Sequence, residues 1–215
     1  MRTGPDPATP RGAALVERRF ASVTAVGAHC SLRERPGRLP VVVCAPHSIA
    51  WSSSGGSWDA FTGPLALAVG RAAGASVLVA DGRIGADPAG SPSTPFSLRL
   101  AELAAAGKLV VDLHAVDSDA VDVVLSPAGL AASDVDGDLV DELADLFDEE
   151  DLAVAIDVDV PGGHGRSRLD ALAPALFVAL GTRVRAPLEH PDEWETLVEV
   201  MADAVAYLCE VHRST

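Results

Sequence analysis

Three short apolar runs constrain this chain more than any other feature: "LPVVVCA" (39–45), "SVLVA" (76–80) and "KLVVDLH" (108–114). A strand with one wet face alternates apolar and polar residues. A run that is apolar and β-branched at nearly every position must be covered on both faces. Strands of that kind belong to parallel sheets, whose crossover connections lay helices over the faces. The intervening segments supply such helices. Residues 59–73 carry Phe61, Leu65, Leu67, Ala68 and Ala72 at helical spacing, with Pro64 early in the segment and Gly74 as a stop. Residues 96–106 read as a second helix ending at Gly107. Residues 136–150 form an acidic amphipathic helix on Leu139, Val140, Leu143 and Leu146/Phe147, and 191–212 a final helix opening with Pro191 and Asp192. Further strands are expected at 120–126, 153–160 and 175–180. This alternation predicts the α/β class, as a single three-layer α/β/α domain with a mixed, mostly parallel sheet. The short gap between 114 and 120 permits a hairpin, the source of the mixed character.

With 215 residues, 48% of them hydrophobic, the chain can bury one sizeable core. The opening "MRTGPDPATPRG" is rich in Pro and Gly and lacks an apolar h-region, so residues 1–12 are expected to be a disordered lead-in to a domain over 13–215. No apolar run is long enough for a transmembrane helix. The net charge of −15 repels nucleic acid and anionic lipid, so neither is expected as a partner. Cys30, Cys44 and Cys209 are far apart and odd in number, which suits a reduced, cytoplasmic setting. Nothing in the sequence indicates an oligomeric state. The chain has no Asn and no Gln, so an oxyanion would need Arg, a metal or backbone N–H groups. "DVDGD" (134–138) lacks the Gly and Glu that a calcium loop needs at its sixth and twelfth positions, and no phosphate-binding loop precedes Lys108.

Ligands of open α/β sheets bind outside the carboxyl ends of the strands. His47 follows the first buried strand in "APHS", and His114 closes the third in "VVDLHA". Both can reach one crevice and share a metal, or each can be an ordinary hydrogen-bonded polar residue at a strand end. Asp112 lies two residues before His114 and points to the same side of the strand. It either orients a ligating imidazole or is a buried structural carboxylate.

"APHS", the acidic residue ahead of Thr62 in "WDAFTGPLALAVG", "VVDLHA" and the tail "PALFVALGTRVRAP…DEWETLVEVMADAVAYL" together resemble the N-formylglutamate amidohydrolases, of zinc-carboxypeptidase-like fold, from about residue 40 to about 208. The resemblance implies one zinc ion held by His47, Asp59 and His114, with an open position for water. The metal lowers the pKa of that water toward roughly 7 and polarises the scissile carbonyl of a small N-acyl amino acid or short peptide. The usual acidic ligand is Glu, one methylene longer than Asp59, and Asp59 can instead be the N-terminal cap of the helix that follows.

The pattern breaks in the last strand. Relatives carry a glutamate there as general base and acid, within a motif like "lQlEls". Here Ala179 takes the glutamate's place, and Val178 or Phe177 stands near the Gln. Losing such a base costs on the order of 10²–10⁴ in rate. His164 in "PGGHGR" and Glu189 after the last strand are the candidate replacements, with Asp117 and Asp119 behind them. Arg83, Arg183 and Arg185 are candidates to grip a substrate carboxylate, or are ordinary surface arginines. The expectation is a zinc-dependent amidohydrolase. The alternatives are a catalytically impaired relative acting as a binding or accessory protein, and a metal-free α/β domain.

Overall fold

The structure, a computed structural model, describes residues 5–21, 32–48, 59–80, 92–126, 137–156 and 175–214. The elements are α1 (Pro10–Ala21), β1 (Leu32–Arg35), β2 (Val41–Ala45), α2 (Thr62–Ala73), β3 (Ser76–Ala80), α3 (Pro95–Ala105), β4 (Leu109–Ala115), β5 (Val123–Ser126), α4 (Gly137–Asp148), β6 (Val154–Ile156), β7 (Ala175–Leu180) and α5 (Pro191–Ser214). The seven strands form one sheet in the order β1-β3-β2-β4-β7-β5-β6. The inner four, β3, β2, β4 and β7, run parallel. β1 and β5 are antiparallel to their inner neighbours, and β6 is parallel to β5. The sheet is therefore mixed and mostly parallel, as the apolar runs required. Every residue of β2 and β3 is buried.

The hairpin permitted between 114 and 120 does not form. β7 inserts between β4 and β5, and the connecting segment curls round its end through Val116 N→Leu180 O (2.9 Å), Thr182 N→Ser118 O (2.9 Å) and Gly181 N→Asp122 O (2.8 Å). The connection has only to span two strand spacings, roughly 10 Å.

Helices cover both faces. A Cβ on Gly70 would sit 2.1 Å from Val77 Cγ2, so α2 lies directly on the face that carries Val77. α5 packs against α2 and β4 on that side. α3 covers the other face: Arg99 makes a two-pronged pair with Glu34 (2.8 and 2.8 Å), which shares a face with its register partner Leu78. Gly74 closes α2 at φ 77°, a left-handed conformation that costs glycine nothing. Thr94 caps α3 by accepting from Ser97 N (3.1 Å), with Pro95 in the first turn.

The N-terminus differs from the expected lead-in. Thr9 Oγ1 accepts from Gly12 N (3.1 Å), Asp6 Oδ1 accepts from Ala8 N (3.2 Å), and buried Trp194 donates to Pro7 O (3.3 Å). Residues 5–12 are thus the cap and first turn of α1, which packs on α2 and α5. Among the described residues no helix is long and apolar enough to cross a membrane.

Candidate metal centre

Three elements bring the candidate ligands to the carboxyl edge of the inner strands. His47 leaves β2 through a turn whose next residue, Ser48, donates to Ala80 O (2.6 Å) at the end of β3. Asp59 sits in the turn before α2, joined to the first by Asp59 N→His47 O (2.9 Å). Thr62 holds that turn closed from below, its hydroxyl donating to Asp59 O (2.7 Å). The turn forces Phe61 to φ 65°, a left-handed conformation costing a side chain on the order of 1–3 kcal/mol. Edge-to-face contact with Trp194, ring centroids 6.1 Å apart, helps hold it there. His114 comes from β4 itself.

The donor atoms of His47, Asp59 and His114 lie within 4.8 Å of one another, and all three residues are buried. Asp59 Oδ2 is 3.4 Å from His47 Nδ1 and 3.1 Å from His114 Nδ1. Tetrahedral ligands 2.0–2.1 Å from an ion stand about 3.3 Å apart. The two separations around Asp59 Oδ2 fit such a polyhedron, and one carboxylate with two imidazoles is a donor set that zinc takes. Asp59, one methylene shorter than Glu, still brings Oδ2 within 3.4 Å of both imidazole nitrogens. It does not cap α2: the capping position is Phe61, with no side-chain bond.

Behind the three lies a supporting chain. Asp112 Oδ2 is 3.0 Å from His114 Nε2, while Asp112 Oδ1 accepts from the Cys44 thiol at 3.3 Å. With Nε2 engaged by Asp112, Nδ1 is left facing Asp59 and His47. Burial alone would lower the His114 pKa, but Asp112 and then Asp59 outweigh it and push it up to about 10. Burial would likewise raise the Asp59 carboxyl. Hydrogen bonds and charge from His114 and His47 prevail and hold it well below the usual carboxylate range. Without metal, Asp112 and Asp59 thus favour the protonated form of the His114 ring. Burial, with Asp112 beside it, keeps the Cys44 thiol protonated.

The last strand faces this cluster with apolar groups. Phe177 stacks on the His114 ring, centroids 4.6 Å apart and planes 19° from parallel. Ala179 is the register partner of His114 and is buried. Of the two residues near the expected Gln, Phe177 shares the His114 face and Val178 faces the other way, alternating along the strand.

Among the described residues the remaining candidates make other contacts, although the Arg185 charge is felt at Asp59. Arg183 gives its Nε (2.9 Å) and Nη2 to Asp122 and its Nη1 to Glu193 (3.3 Å). Arg185 is largely buried, its Nε bonded to Leu180 O (2.9 Å) and Gly181 O (3.2 Å), its Nη2 to Val116 O (3.1 Å) and near Asp117. Both arginines serve the fold around the end of β7. Glu189 is exposed in the turn before α5, and Asp117 and Asp119 are exposed as well. His164 and Arg83 lie outside the described residues. Sequence reasoning passed over Glu17, on α1. It is 6% exposed, and among the described residues neither carboxylate oxygen has a hydrogen-bond partner. Burial pushes its pKa up to about 7, opposed by the Phe61 backbone and the Arg185 charge.

No family model and no curated protein matches the sequence. Solved structures do match. The N-formylglutamate amidohydrolase from Ralstonia eutropha JMP134 superimposes at a TM-score of 0.58 and 17% identity, over 88% of this chain and 100% of that one. A bacteriophage poly-gamma-glutamate hydrolase gives 0.58 at 12% identity, over 85% and 91%. A zinc-free apo form of YNDL gives 0.52 at 12%, over 84% and 91%. The chain has the α/β fold of these proteins, with a His-Asp-His cluster at its sheet edge that could hold a metal.

Proposed function

We propose that this protein is a zinc-dependent amide hydrolase acting on a small N-acyl amino acid or a short peptide, with one ion held by His47, Asp59 and His114. The observation that carries the reading is the buried convergence of those three donors on Asp59 Oδ2, with Asp112 engaging the far nitrogen of His114. When bound, zinc supplies Lewis acidity, polarising a carbonyl and making water nucleophilic at neutral pH. The chain's own part is positional. Asp112 fixes the His114 ring and tautomer. Phe177 shields one face of that ring. Asp59 balances the charge on the donor set. Among the described residues no acid or base faces the cluster from β7, so proton transfer is assigned to His164. Arg183 and Arg185 are committed to the fold, so the grip on a substrate carboxylate is assigned to Arg83.

A second reading rests on Phe177 and Ala179. Where relatives place Gln and Glu, this chain has apolar groups against His114, which suits a protein that holds the metal and binds a ligand without turning it over. One experiment separates the two. The zinc-loaded chain is assayed against N-formyl and N-acetyl amino acids and γ-glutamyl peptides, beside His164→Ala and Ala179→Glu. Turnover by the natural chain that falls about 10²-fold or more in His164→Ala supports the hydrolase. Turnover only in Ala179→Glu sinks it and leaves the binding protein.

A further inference from the structure

α1 buries Ala13, Val16 and Glu17 on one stripe, at the three- and four-residue steps of a helix. An acid in that stripe is unfavourable unless it is paired. Yet both Glu17 oxygens are buried with no hydrogen-bond partner among the described residues. An apolar side chain would fill the same place on α1 without that penalty. The groups that favour the charged carboxyl lie beside the metal centre: the Phe61 backbone first, then the Arg185 guanidinium. The Arg185 charge also reaches Asp59. Phe61 is two residues from Asp59 and is the residue held at φ 65°. The α1 segment meets Phe61 a second time, through Trp194. Pro7 O, just ahead of α1, accepts from Trp194 Nε1 (3.3 Å), and the Trp194 ring lies edge-to-face with Phe61. Phe61 is thus engaged from the N-terminal segment at its ring and at its backbone. α1 packs on α2 and α5, the two helices that carry these contacts.

We propose that Glu17 is a positioning residue of the metal centre, bracing from α1 the strained turn that presents Asp59 to His47 and His114. The proposal rests on the reading of those three residues as metal ligands. Asp112 does for His114 what Glu17 does for Asp59: each is a buried carboxylate behind a ligand, and neither meets the ion. The role is positional because both Glu17 oxygens are covered, so the group does not reach substrate. The left-handed conformation of Phe61 persists only while its surroundings hold it. Take away the acceptor behind its N–H, and the turn has a route to relax. Asp59 Oδ2 then leaves the separations of 3.4 and 3.1 Å that suit a shared ion. This account explains why an acid stands in the apolar stripe of α1: an apolar residue there packs equally well but cannot accept from Phe61.

The test compares the full natural chain with Glu17→Leu and Glu17→Gln. Zinc affinity is read by chelator competition, amide hydrogen exchange at residues 59–62 on the stripped proteins, and stability by urea unfolding. Glutamine keeps an acceptor oxygen for the Phe61 N–H, and leucine has none. Glu17→Leu is expected to bind zinc about tenfold or more weakly and to exchange the Phe61 amide about tenfold or more faster, while unfolding at no lower urea than the natural chain. Glu17→Gln is expected within about threefold of the natural chain in both affinity and exchange. A purely structural role would not weaken the site in a variant that is no less stable. Glu17→Met repeats the apolar replacement with a more adaptable side chain, should leucine not fold. Unchanged zinc affinity in the apolar variants overturns the proposal and leaves the metal reading intact. Unchanged exchange at Phe61 overturns it too. So does a Glu17→Gln as weak as Glu17→Leu, because charge and not the Phe61 contact is then what counts. Absence of zinc binding by the natural chain is a different result: it sinks the metal reading, and the proposal with it.

Discussion

Replacing Asp112 by Asn tests the link between β4 and the metal donors with the least change of shape. Asp112 is 1% exposed, and its two oxygens face two donors, His114 Nε2 at 3.0 Å and the Cys44 thiol at 3.3 Å. Asparagine has one acceptor oxygen and one donor group, so one of those contacts becomes donor against donor. The lost charge also removes a main support of the imidazolium in the metal-free chain. Outer partners of this kind are worth 10–100-fold in metal affinity, about 1.4–2.7 kcal/mol. In the metal-free chain, losing a buried charge-assisted hydrogen bond costs about 1.5–3 kcal/mol. Competition with a chromophoric chelator near pH 7.5 reads the first quantity, and urea unfolding of stripped protein the second. Zinc affinity within about twofold of the natural chain, in a variant that stays folded, would refute the role given to Asp112.

Three further outcomes are expected. Glu17 is raised from 4.5 to about 7 in the folded chain, so the stability of its neutral form is complete below pH 4.5 and lost as pH rises through 7. Glu17→Gln should therefore be more stable than the natural chain near pH 8, by on the order of 1–3 kcal/mol, with no such gain below pH 4.5, as thermal melts across pH will show. His114 is raised from 6.5 to about 10, so the stability it lends the stripped chain is complete below pH 6.5 and declines as pH climbs through 10. A metal-bound imidazole at His114 is neutral, so zinc should flatten that alkaline decline in urea midpoints. Phe177→Ala removes the stack on His114 and should cost about 1–3 kcal/mol in stability while zinc binding survives.

The inner strands were legible in the sequence because burial on both faces writes a continuous apolar run. β2, β3, β4 and β7 all show one. β1 was not, since "LRER" is a four-residue margin strand with polar groups on both faces. α1 had a signal that went unread: Thr9-Pro10 is a cap followed by a first-turn proline, masked by the Pro/Gly-rich composition around it. The hairpin expectation failed because sequence distance says nothing about which strand will insert between two others. The convergence of His47, Asp59 and His114 at one end of the inner strands was legible from strand ends and family likeness. The Asp112–His114 pairing followed from a two-residue spacing. Cys44 could not be placed beside Asp112, because that contact depends on the register of β2 against β4. Glu17 required the packing of α1 to be known.

Whether His47, Asp59 and His114 hold a metal is read by elemental mass spectrometry on the purified chain, beside a His47→Ala/His114→Ala double variant. About one zinc per chain, lost in the double variant, is the expected result. No metal in the natural chain after zinc is offered at neutral pH, or equal metal in both proteins, would contradict it.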